Sequence, residues 1–181
     1  TSFATTGPIA ASLDITWGDL RVVASDDVVT VVDVAPTDPS NDKDRNAAEA
    51  TTITCTDGRL RVVGPRNMTG IFNKKYGSVQ VDVRIPAGSE LEALTGLGAV
   101  SVDGEVGALR VKTSAGDVRV HSATSADLRT GLGALVAREI SGDAHCSTGS
   151  GEVQIERIGG RTEVKNSNGD TAIGDVGGPL R

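Results

Sequence analysis

Residues 131–151 read GLGALVAREISGDAHCSTGSG, and the stretch begins and ends on nearly the same word, a Gly–small–Gly corner preceded by Thr. Working outward from it, the same word returns along the second half of the chain. From residue 95 the sequence aligns as TGLGAVSVDGEVGALRVK, TSAGDVRVHSATSADLR, TGLGALVAREISGDAHCS, TGSGEVQIERIGGRTEVK and NSNGDTAIGDVGGPLR. The repeats open at Thr95, Thr113, Thr130, Thr148 and Asn166, spaced 18, 17, 18 and 18 residues apart. The fourth residue of each is glycine: Gly98, Gly116, Gly133, Gly151 and Gly169. A fixed period of this length marks a stacked architecture in which each unit buries its apolar face against its neighbours.

Inside each repeat the apolar residues alternate, the period of a strand. After the glycine come Val100/Val102, Val118/Val120, Leu135/Ala137, Val153/Ile155 and the weaker Thr171/Ile173. After a second turn come Leu109/Val111, Ala126/Leu128, Ala144/Cys146 and Thr162/Val164. Nothing here has the i, i+3, i+4 spacing of a helix, and the turns are too short for crossover helices. The expectation is an all-β fold: a parallel β-solenoid of about 18 residues per coil with two short strands per coil. Right-handed coiling follows the general crossover preference. The repeated glycine suits a corner with positive φ or close backbone approach, and the Thr or Asn before it can bond to the corner backbone. Hexapeptide helices do not fit these apolar offsets, and the calcium-binding G-G-x-G-x-D nonapeptide is absent.

The first half carries the same grammar more loosely, as in Gly18-Asp19-Leu20-Arg21-Val22 and Gly58-Arg59-Leu60-Arg61-Val62. Strands are expected near 12–16, 20–24, 28–34, 51–55, 59–63, 78–85 and 91–94. Residues 1–90 then form an irregular β cap and first coils, and 91–181 the regular repeats of one continuous domain. A cap is needed because the end of a stack is an open strand edge. Two insertions interrupt this half. DPSNDKDRNAAEA at 38–50 reads as a short helix with Asp38 as cap and Pro39 at its first position. GPRNMTGIFNKKYG at 64–77 is a loop with Arg66, Lys74 and Lys75 beside Met68, Ile71, Phe72 and Tyr76. These apolar residues either fold back to plug the core or form a partner-binding loop, since surface aromatics with basic neighbours make contact anchors.

Composition bounds the rest. Only Phe3, Trp17, Phe72 and Tyr76 are aromatic, so aliphatic residues and threonine must fill the interior. A net charge of −6 argues against a nucleic-acid backbone as partner. Residues 51–90 alone are basic, with six bases against three acids. No apolar run reaches the ~18–20 residues of a membrane span, and no signal segment opens the chain. Cys55 and Cys146 match no metal or redox spacing and read as two free, buried thiols, which favours the cytoplasm; the alternative is an exported protein whose signal segment is absent from this chain.

The T-x-x-G-[DE]-V/I strand pattern, NSNGD at 166–170 and IPAG at 85–88 together resemble the bacterial "putative adhesin" family, a β-strand-repeat domain of unknown function. The resemblance covers the whole chain, most strongly 78–181. It implies a β-solenoid often associated with the cell envelope or its stress response, with no agreed activity. Family members commonly continue for further coils, whereas this chain stops at Leu180–Arg181 inside a coil. Further C-terminal coils are therefore expected to be missing, or the open edge to be covered by another subunit.

The residues offer no convergent catalytic constellation. His145 is expected to point outward beside inward Cys146, and His121 to lie in a turn region. Asp117, Glu152 and Asp170 share one outward column with Ala134 between them; with Arg119 nearby it reads as a solvated, salt-bridged face. Lys112, Arg129 and Lys165 form a basic column interrupted by Ser147, too thin for nucleic acid. No metal, cofactor or catalytic residue is assigned. The expected function is a non-enzymatic scaffold or protein-interaction module acting through Arg66, Met68, Ile71, Phe72, Lys74, Lys75 and Tyr76. The alternatives are a carbohydrate-active or carbohydrate-binding β-helix, and a structural protein that self-associates through the open C-terminal edge.

Overall fold

Alternating apolar residues give a strand one face to bury, and here the inward faces of the strands pack into one core. The computed structural model describes residues 1–66 and 77–181. In chain order the elements are β1 (Ser2–Ala4), β2 (Ala10–Ser25), β3 (Val29–Pro36), α1 (Asp42–Ala50), β4 (Thr52–Thr56), β5 (Arg59–Val63), β6 (Val79–Pro86) and β7 (Glu90–Leu97). They continue with β8 (Val100–Ala115), β9 (Val118–Leu132), β10 (Leu135–Ile140), β11 (Ala144–Ser150), β12 (Val153–Ile158), β13 (Thr162–Asn166) and β14 (Thr171–Val176). The protein is all-β with one short helix, and its strands join one open 14-stranded sheet, mixed but mostly parallel.

The repeat period reappears as register. Val118 pairs with Leu135, Leu135 with Val153 and Val153 with Thr171, all parallel. In the second half of the repeat, Leu109 pairs with Ala126, Ala126 with Ala144 and Ala144 with Thr162, again parallel. Each repeat thus lies one strand spacing, about 4.8 Å, from the last. Like stacks on like: Val100, Val118, Leu135 and Val153 are all buried, as are Val111, Leu128 and Cys146. Apart from Cys146 the buried hydrophobic core of the described residues is aliphatic, each Val, Leu or Ile contributing about 1.5–3 kcal/mol on burial.

The corners follow the same stacking. Gly116 has φ 150° and Gly133 φ 142°, and a β-carbon at either would collide with the carbonyl oxygen of the glycine one repeat earlier. The residue that opens each repeat bonds to that same carbonyl: Thr113 Oγ1 donates to Gly98 O at 3.2 Å, Thr130 to Gly116 O at 2.9 Å and Thr148 to Gly133 O at 3.2 Å. Asn166 Nδ2 continues the ladder to Gly151 O at 3.1 Å.

Three expectations are corrected. The pair of short strands per repeat is seen in β10/β11 and β12/β13, but β8 and β9 run unbroken for 16 and 15 residues. Their middle corner keeps its ladder bonds through a register shift between Val102 and Glu105, so His121 lies within β9 and not in a turn. The helix is capped by Asn41, whose side chain accepts from Lys43 N at 2.9 Å, because the Asp38 oxygen is already taken by the amide and hydroxyl of Ser40. Those two bonds hold the Asp38 carboxyl below its ordinary range. Cys146 is buried and free as expected, whereas Cys55, on edge strand β4, is only half-buried.

The N-terminal half departs from the parallel pattern. β3 runs antiparallel to both β1 and β6, and β4 antiparallel to β5. β5 and β7 flank the first half of β2, both parallel to it. The β4–β5 hairpin turns on Asp57 (φ 51°) and Gly58 (φ 70°), the two positive-φ positions of a type I′ turn.

Candidate functional site

Of the seven residues expected to contact a partner, Arg66 is described; Met68, Ile71, Phe72, Lys74, Lys75 and Tyr76 lie outside the described residues. The two points at which the chain enters and leaves that stretch are well built. On the entry side Gly64 N donates to Asp14 O at 2.8 Å, Thr16 Oγ1 to Pro65 O at 3.2 Å, and Arg66 pairs with Asp14 at 2.9 Å. On the exit side Gly77 N donates to Lys43 O at 2.9 Å and Ser78 N to Asp44 Oδ1 at 2.9 Å. Asp44 Oδ2 also accepts from Asp38 N at 3.1 Å, so this buried helix carboxylate ties α1, the preceding turn and the start of β6 together. The segment therefore leaves beside Thr16 and returns at Val79, which pairs with Gly18.

Between those points stands Trp17, half-buried, at the head of a corner column. Trp17 pairs with Leu97, Leu97 with Ala115, and Ala115 with Leu132. Leu97 and Leu132 are 51% and 60% exposed, two leucines on one side of the stack with Ala115 in the layer between them. They are the Leu of the two TGLG words, so the sequence contained the signal; it reads as a corner until the register shows that the two leucines share one side.

The adjoining sheet face carries charge. Glu92, Arg110, Asp127, His145 and Glu163 stand opposite one another across β7, β8, β9, β11 and β13. Arg110 lies 3.8 Å from both Glu92 and Asp127, Asp127 also pairs with Arg129 at 2.8 Å, and Glu163 with His145 at 3.3 Å and Lys165 at 2.8 Å. Lys165 and then His145 hold the Glu163 carboxyl below its ordinary range. At the β5 end of this face, Arg59, Arg61, Glu90 and Glu92 surround a trough of about 510 Å³ floored by Ala10 and Ser12. These four were missed in the sequence, because the register of β5 against β2 crosses the 38–50 insertion and that of β7 against β2 crosses both.

The residues weighed for chemistry are placed as follows. Asp117 pairs with Arg119 at 3.2 Å and its other oxygen accepts from Ala134 N at 2.9 Å, so it staples one corner to the next. Asp19 does the same for Ala99 N at 2.8 Å. Cys146 faces the core while His145 faces outward, so the two do not meet. Burial, with a smaller contribution from the Asp127 charge, pushes the Cys146 thiol up to about 12, far from a nucleophile at neutral pH. Among the described residues no three His, Cys, Asp or Glu side chains are grouped to hold a metal ion.

No family model matches the chain, and no curated protein matches it. Solved structures do. A protein of Clostridium sporogenes called a "putative cell adhesion protein" aligns over 93% of this chain and 94% of its own, at 10% identity and a TM-score of 0.52. A "putative adhesin" of Bacteroides fragilis aligns over 99% and 94% at 16% identity with a TM-score of 0.40. A "putative lipid binding protein" of Parabacteroides distasonis aligns over 99% and 94% at 12% identity with a TM-score of 0.29. The first of these carries the likeness of fold. That protein's name, "putative cell adhesion protein", is of the same kind as the family the repeats resemble.

Proposed function

We propose that the protein is a non-enzymatic β-solenoid that presents an interaction surface, with residues 1–90 as cap and first coils and 91–181 as regular coils. The 18-residue parallel offsets support the solenoid reading. Contact with a protein partner falls on Arg66 and the Met68, Ile71, Phe72, Lys74, Lys75 and Tyr76 that follow it, continued by the Leu97/Leu132 corner. The observation that carries this reading is that corner: two exposed leucines in register with Trp17, beside the anchors of the 66–76 stretch. Exposed apolar side chains with basic neighbours are what an interface core and its rim need. The ion-paired face beside it supports a scaffold over a carbohydrate-active enzyme. No helix among the described residues is long and apolar enough to cross a membrane. The cytoplasm remains the proposed setting, from the two free thiols, with export as the alternative.

The test is capture of a partner from soluble and membrane fractions separately by three proteins: the parent, the Phe72/Lys74/Lys75/Tyr76→Ser variant, and Leu97→Ser with Leu132→Ser. A partner held by the parent and lost by both variants is expected. Retention by both would overturn the assignment of function to this side.

A second reading has its own observation. Ile173 and Val176 are only half-buried where their counterparts Ile155 and Ile158 are buried, and Leu180 is 56% exposed. Self-association through this edge would cover them, and Leu180→Ser should then lower the sedimentation mass. A monomer in both forms would remove the idea.

A further inference from the structure

The trough over β2 joins two rows of opposite charge that do not neutralise each other. Register places Arg59 opposite Ala10 and Ala10 opposite Glu90; one step along, Arg61 lies opposite Ser12 and Ser12 opposite Glu92. The strand carrying the short side chains is therefore flanked by two arginines on one side and two glutamates on the other. With strands about 4.8 Å apart, the backbone rows bearing the two charges are separated by about 10 Å. Elsewhere on this face opposite charges close into pairs, as Arg129 does with Asp127 and Lys165 with Glu163. Here Glu92 reaches only Arg110, and among the described residues Arg59, Arg61 and Glu90 make no ion pair.

We infer that this trough binds a zwitterion, an oxyanion joined by a short apolar linker to an ammonium group. Arg59 and Arg61 are alternate residues of one strand and share one face, so two guanidinium forks rise from backbone positions about 7 Å apart along it. Such forks match the planar or tetrahedral oxygens of carboxylate and phosphate. Glu90 and Glu92 offer acceptor-only carboxylates that suit an ammonium. Ala10, on the strand between the two rows, gives the linker apolar contact. The volume, about 510 Å³, lies in the small-molecule range. Among the described residues no aromatic side chain lines it, so these residues offer no platform for stacking a base or a sugar ring. Each charged contact is weak at an exposed site. The two ends of one ligand engage together because binding the first raises the effective concentration of the second.

The probe is O-phosphoethanolamine, titrated into the ¹⁵N-labelled full chain, with inorganic phosphate and ethanolamine in separate titrations. Expected are saturable amide shifts at Arg59–Arg61 and Glu90–Glu92, with each half-ligand at least about tenfold weaker. Arg59→Ser with Arg61→Ser, and separately Glu90→Gln with Glu92→Gln, should each weaken the probe about tenfold or more while shifts in β12–β14 stay as in the parent. Phosphate alone binding as tightly as the probe, or binding unchanged in the glutamine variant, overturns the proposal, as does an absence of shifts. Where the probe binds, vesicles with and without phosphatidylethanolamine assign the source. Co-pelleting blocked by soluble probe makes it a lipid headgroup, and no co-pelleting makes it a free small molecule.

Discussion

A thiol facing the core between Leu128 and Val164 is a residue whose chemistry has been switched off by its surroundings. Burial favours the neutral form, so Cys146 keeps its proton to about pH 12 against an ordinary value of 9.0. Between those limits the unfolded chain releases a proton that the folded chain retains. Stability from this group is thus full below pH 9.0 and is lost as pH rises toward 12, at up to about 1.4 kcal/mol per pH unit. Urea unfolding between pH 8 and 11 should show a fall that is shallower in Cys146→Ala, since every other group titrates alike in both. In thiol labelling of the native protein, half-buried Cys55 should react and Cys146 only after unfolding. The corner hydroxyls act on the same scale. Thr130→Val keeps shape and removes the bond to Gly116 O, so about 1 kcal/mol of stability should be lost, read from the urea midpoint.

Among the elements, α1 matters for what it fastens more than for its own length. Asp44 accepts two backbone N–H groups, from Ser78 and Asp38, in a buried position. Asp44→Ala leaves both donors without a partner and should lower stability by about 2–3 kcal/mol in thermal unfolding. Asp44→Asn keeps one acceptor oxygen and should lose less. The helix itself was legible from its formers after Pro39, but its start was not: Asp38 and Asn41 are both good caps, and only the competing Ser40 contacts decide between them. The strands were legible because alternation marks which side of each is buried. Their unbroken course through β8 and β9 was not, since a corner that keeps its ladder bonds looks the same in sequence as one that does not. The charged trough was hidden for a related reason. GRLRVV and SELEAL each show outward charges, but their facing one another across β2 depends on pairings between segments far apart in the chain.

At the scale of the whole molecule, stacking with a constant period makes the number of repeats a variable the fold can tolerate. Deleting Gly133–Ser150 removes one period of 18 residues and joins Leu132 to Gly151, restoring the corner word as TGLGEV. β9 would then meet β12 and β13 directly: Val118 opposite Val153 and Ala126 opposite Thr162, inward residues on inward residues. The Asn166 bond to Gly151 O survives, because both partners remain. Two mismatches arise, Asp127 opposite Glu163 where His145 had stood between them and Arg129 opposite Lys165 where Ser147 had stood. Like charges directly opposed are destabilising, so the deletion is best made with Glu163→Gln and Lys165→Gln. This protein should unfold cooperatively, with a urea m-value lower by about a tenth, as less surface is exposed. Deleting Gly133–Ser141, half a period, instead sets the second strand of one repeat against the first of the next and brings mismatched corners together. It should lose cooperative unfolding altogether. If both deletions unfold alike, the nearest-neighbour stacking that defines a solenoid is not what holds this chain, and stability belongs to the sheet as an indivisible whole.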